Sequence, residues 1–220
     1  MNTGHLGWIL PAAVSLAATS AAAAQPNWTA APTYREVAAA YPAKARADHV
    51  GGTVQFSCTS TLSGRLGDCG ELGENPTGYG FAGAARKLVE RLRIDAPHDT
   101  EVRFAIAFDP EMAGAGAGMA ENPAWAAVPA VSDFQATFPK AENGVDHVRV
   151  VLDCGVVAGG RLEGCSVASE TPAGEGYGAG ALALAPKFRV GLMTPAGVPT
   201  VGARVQVPIR YELSPGAPKS

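Results

Sequence analysis

Four cysteines carry the clearest chemical signal in this 220-residue sequence. Cys58 and Cys69 are spaced as Cys154 and Cys165 are, and each interval centres on a turn signal, Ser63-Gly64 or Gly159-Gly160. Glycine there permits the positive φ angles that tight hairpin turns need. A hairpin folded symmetrically about each turn sets the two cysteines of a pair opposite one another, with Cα atoms about 4.5–5.5 Å apart, within the range of a disulfide. The spacing therefore predicts the bridges Cys58–Cys69 and Cys154–Cys165. A zinc site usually needs closely spaced ligand pairs, and a thiol redox site needs C-x-x-C; the sequence has neither.

Other reactive side chains recur without converging. Asp48-His49 and Asp146-His147 hold similar places. A histidine oriented by a carboxylate can act as a base or bind a metal, yet no serine, cysteine or third ligand is tied to either pair by spacing. Glu74 and Glu170 each stand two residues before a proline and are assigned to shaping a loop. Gly78-Tyr79-Gly80 and Gly174-Glu175-Gly176 lack the lysine and the preceding parallel strand of a phosphate loop. The expectation is a non-enzymatic protein with no catalytic residue, no metal and no cofactor.

The elements that must position the cysteines are written twice. Trp28 and Pro32 match Trp125 and Pro129, and Tyr41-Pro42 matches Phe138-Pro139. The match continues through the cysteines, Arg65-Leu66 and Arg161-Leu162, and Phe81 and Tyr177. It ends on Val102–Phe108 against Val205–Tyr211. Val148, Val150, Leu152 and Cys154 alternate with Arg149, Val151 and Asp153, and Val54, Phe56 and Cys58 repeat the period, which reads as half-buried strands. Phe81, Ala84, Ala85, Leu88 and Leu92 fall at helical spacing. In the second repeat Pro186 shortens or kinks the corresponding helix. A short helix is expected over Thr33–Ala40.

The fold class read from this is α+β: two tandem small α-β-β-α-β domains, each a three-stranded antiparallel sheet packed on a helix. The expected boundaries are 25–110 for the first domain and 122–214 for the second. Between them lies a Gly/Ala-rich linker, 111–121, of the kind that behaves as a flexible coil. Residues 215–220 are expected to form a disordered tail.

Charge and the first residues bound location and partners. Seventeen basic residues against 20 acidic ones, with no basic run, exclude a nucleic-acid partner. Residues 1–24 read as a signal peptide ending in small residues, so the chain is expected in the periplasm. If uncleaved, the segment just reaches the length of a membrane span, although Pro11, Ser15, Thr19 and Ser20 interrupt it. Membrane contact is expected only in that case. An even number of cysteines agrees with export.

Tyr41-Pro42, Gly52-Thr53-Val54, Gly64-Arg65-Leu66, Phe81-Ala82-Gly83-Ala84-Ala85 and Leu92-Arg93-Ile94 together resemble the TonB C-terminal domain family. Phe138-Pro139, Gly160-Arg161-Leu162, Tyr177 and Phe188-Arg189-Val190 repeat the pattern. The resemblance implies a protein-binding module of the cell envelope, connected with TonB-dependent transport. Its partner would be an envelope protein such as an outer-membrane receptor, whose peptide adds a strand to the sheet edge. Pro208 blunts that edge in the second repeat, since proline lacks the N–H. The partner is therefore expected on Val102, Arg103, Phe104, Ala105, Ile106, Ala107 and Phe108, unless flanking segments cover this edge. Two alternatives stand beside this reading. One is an exported enzyme inhibitor using the loop Leu192–Gly202, and the other is a membrane-anchored energy transducer.

Overall fold

The computed structural model describes residues 26–114, 116–137 and 147–212. The signal segment, Phe138-Pro139, Asp146, part of the linker and the tail lie outside the described residues. The first half contains β1 (Trp28–Ala30), α1 (Tyr34–Ala40), α2 (Ala43–Ala47), β2 (Gly52–Ser60), β3 (Leu66–Asn75), α3 (Phe81–Val89), β4 (Arg93–Ile94) and β5 (Glu101–Phe108). The second contains β6 (Trp125–Ala127), α4 (Val131–Thr137), β7 (His147–Val157), β8 (Arg161–Thr171), α5 (Tyr177–Leu184), β9 (Arg189–Val190) and β10 (Arg204–Glu212). The protein is thus mixed α+β, with antiparallel sheets and few, short helices.

Alternation in the sequence becomes a buried sheet face. Val54, Phe56 and Cys58 of β2 are buried, as are Val148, Val150, Leu152, Cys154 and Val156 of β7. Helix α3 lays Phe81, Ala85 and Leu88 over the first sheet. The Phe81 ring meets Phe108 at 5.1 Å and Tyr41 at 5.8 Å, while the Tyr41 hydroxyl donates to the Val50 carbonyl at 2.7 Å. Fully burying each such ring contributes about 1.5–3 kcal/mol.

Helix ends are satisfied in two ways. Thr33 and Glu36 form a capping box at α1, which holds two otherwise orphaned amides. At α3 and α5 the N-cap residues are Gly80 and Gly176, which have no side chain to accept a bond. A distant carboxylate does so instead. Glu74 accepts from the Ala82 N–H at 3.2 Å and Glu170 from the Tyr177 N–H at 2.9 Å. Negative charge at a helix N-terminus is favourable, so these repeated glutamates have a structural task.

Three differences from the sequence expectation have physical reasons. The sheets are not two sets of three strands. The first half has order β3-β2-β5 plus a separate β1-β4 pair, and the second joins five strands in the order β10-β7-β8-β9-β6. The short strands β1, β4, β6 and β9 are two or three residues long, too brief to show a period. The hairpins are also asymmetric. Cys58 lies between the pairs Ser57–Gly70 and Thr59–Gly67, so it faces a bulge of Asp68 and Cys69, with Asp68 at φ 46°. Cys154 likewise faces Gly164 and Cys165. Finally, the linker does not run free where it is described. Residues Pro110–Ala113 form a 3-10 turn, and Gly118–Ala120 bond to Arg204. Pro186 ends α5 at Leu184 and starts a 3-10 turn over Ala185–Lys187.

Candidate functional site

Strand β5 lies at the edge of its sheet, paired on one side with β2. Backbone groups alternate in direction along a paired strand. The Ala107 N–H donates to the Gly197 carbonyl at 2.9 Å, away from β2. By alternation Glu101, Arg103, Ala105 and Ala107 turn their N–H and C=O groups outward, while Val102, Phe104, Ile106 and Phe108 bond to β2. Val102, Ile106, Ala107 and Phe108 are buried.

The outward row is only half open. Residues 191–202, between β9 and β10, fold into a finger with its own hydrogen bonds. Thr194 N–H donates to the Val198 carbonyl at 2.8 Å, and Gly197 N–H to the Thr194 carbonyl at 2.9 Å. The Thr194 hydroxyl accepts from Val198 N–H at 3.0 Å, and the Thr200 hydroxyl donates to the Gly191 carbonyl at 2.7 Å. Thr194 and Thr200 are buried in these bonds. The fingertip rests on β5 at Ala105 and Ala107, and its base holds α1 through Tyr34 N–H to the Val201 carbonyl at 2.8 Å. This docking is the part the sequence reading missed. Its signals were the extra length of the loop over its counterpart between β4 and β5, and the sequence Thr194-Pro195-Ala196-Gly197. The loop that the inhibitor alternative would use thus has its tip against β5.

The matching edge, β10, is treated differently. Arg204 donates its N–H to the Gly118 carbonyl and accepts from Ala120 N–H. By alternation Pro208 also faces outward, where its missing N–H leaves a gap in the row.

The open end of β5 is polar. Glu101 accepts from Arg103 Nε and from the Ser57 hydroxyl, each at 2.8 Å. The Arg103 and Ser57 bonds hold the Glu101 carboxyl below its ordinary pKa.

The remaining candidates stay apart. His49 takes a left-handed conformation, φ 52°, just beyond α2. Val50 N–H bonds back to the Ala45 carbonyl and His49 N–H to Arg46, which is a Schellman termination. His49 therefore ends a helix. His147 opens β7. Among the described residues no three His, Cys, Asp or Glu side chains gather as a metal site. A recess of about 560 Å³ is open to solvent and lined by Met119, Glu121, Trp125, Val151 and Pro208.

Both predicted disulfides are present. Cys58–Cys69 and Cys154–Cys165 each have Cα atoms 4.1 Å apart. Paired in this way, they point to an oxidising, exported compartment. Among the described residues no helix is long and apolar enough to cross a membrane.

No family model matches the chain. One relative is an uncharacterized protein of Caulobacter vibrioides, 35% identical over 63 residues. The match covers 29% of this chain and 63% of that protein, and it is shorter than either half.

Proposed function

We propose that the chain is a non-enzymatic binding module of the bacterial envelope, made of two tandem TonB C-terminal-like domains exported to the periplasm. It would hold an envelope protein, such as an outer-membrane receptor, by strand addition. The observation that carries this reading is the edge strand β5, whose outward groups at Glu101 and Arg103 are not met by the finger. Main-chain hydrogen bonds at such an edge supply affinity to an extended peptide. The two stapled hairpins fit a life outside the cytosol.

The test is capture from a bacterial envelope extract by the chain from Gln25 onward, with cross-links mapped by mass. Ala105→Pro removes one outward N–H and breaks no bond to β2. A partner cross-linked near Arg103 and lost with Ala105→Pro supports strand addition. Undiminished capture by a folded Ala105→Pro protein refutes it.

A further inference from the structure

The two halves carry one edge problem and solve it differently. An edge strand with unpaired amides invites pairing with another chain. On β10 the outward row is interrupted by Pro208 and covered at Arg204 by the linker. On β5 the residue matching Pro208 is Ala105, which keeps its donor, and the strand carries Val102, Phe104, Ile106 and Phe108. Such a strand is prone to pair. Its cover comes from the other half, as the inserted finger.

The fingertip is shaped for that contact. Gly197 has φ +90° and lies so close to β5 that a Cβ on it would sit 2.6 Å from the Ala105 carbonyl carbon, and nearer still to its oxygen. Only glycine fits both the conformation and the gap. The Ala107–Gly197 hydrogen bond then occupies the outward donor beside Ala105. The finger needs no other half to keep its form, because the bonds within Thr194–Val198 are its own. Those bonds would persist with the tip away from β5.

We infer that the finger 191–202 is a gate on β5: its docking and the addition of a strand along the whole of β5 exclude one another. The occupant it keeps out most directly is β5 of a second copy of this chain, an identical strand able to pair antiparallel with it. This rests on the strand-addition reading given above and adds the regulation of that edge.

Gly197→Val opens the gate by collision. A second variant guards against misfolding of the first: residues 191–203 replaced by Asp95–Thr100, the short connection that the first half itself uses between β4 and β5. Amide exchange at Ala107 reports the gate, and mass by sedimentation reports strand pairing. In the wild type, Ala107 is expected to be protected and the mass to be that of a monomer. In either variant, Ala107 exchange at the monomer-favouring dilution is expected to be at least about tenfold faster. At high concentration the mass doubles, and adding Ala105→Pro returns it to that of the monomer. Unchanged Ala107 exchange in both folded variants overturns the gate and leaves the strand-addition reading standing. Faster exchange with no gain in mass, and no pairing with a synthetic peptide of residues 101–108, overturns both.

Discussion

Replacing Cys58 and Cys69 together by alanine removes a cross-link that closes a loop with a sequence separation of 11. In the chain-entropy description, a loop of that length contributes about 3 kcal/mol by restricting the unfolded chain. Packing adds a smaller amount. Cys58 is buried in the hydrophobic core, so losing its sulfur adds on the order of 1 kcal/mol, while Cys69 is exposed and adds little. The expected loss is therefore about 3–4 kcal/mol, a large part of the stability of a small fold. The Cys154→Ala/Cys165→Ala variant has the same separation, with Cys154 fully buried and Cys165 half-buried. Its loss should equal or slightly exceed the first. Urea unfolding followed by circular dichroism measures both, and mass mapping of the non-reduced wild type checks the pairing. A loss below about 1 kcal/mol in either variant, or a bridge joining the two halves, would refute this account.

Glu170→Ala should lower stability by about 1 kcal/mol through the uncapped Tyr177 amide, seen as a lower melting temperature, with Glu170→Gln recovering part of it. The Tyr34 hydroxyl is buried beside Gly118, with no hydrogen-bond partner among the described residues. Tyr34→Phe should therefore be neutral or stabilising by up to about 1 kcal/mol in urea unfolding. Burial, and then Asp109 and Glu111, push the Tyr34 pKa up to about 12. Because the folded value is raised, its contribution to stability is intact below the ordinary tyrosine pKa of about 10 and is lost as pH rises towards 12. Phenolate absorbance of wild type against Tyr34→Phe should show that late titration, and ionisation near 10 would contradict it. Glu101 has the opposite sign. Its contribution is present above the ordinary carboxylate range and fades as pH falls through its depressed pKa, and Arg103→Ala should bring its NMR titration back up.

Local chemistry made the paired cysteines, the strands of period two, the helix starting at Phe81 and the stop at Pro186 legible in the sequence by itself. Each depends on residues within one turn or one hairpin, where spacing along the chain and distance in space nearly coincide. The bulges opposite Cys58 and Cys154 were not legible, since a glycine or aspartate inside a strand has several local solutions. Glu74 could be assigned to the loop, but its bond to the Ala82 amide appears only when the chain doubles back. Tertiary structure alone decided the state of the β5 edge. Whether Ala105 and Ala107 face water or Gly197 depends on a contact between segments about 90 residues apart, and no periodicity records a contact of that kind. Composition set the limits on it: proline at 208 closed one edge within its own strand, while alanine at 105 left the other to be closed by a loop from across the molecule.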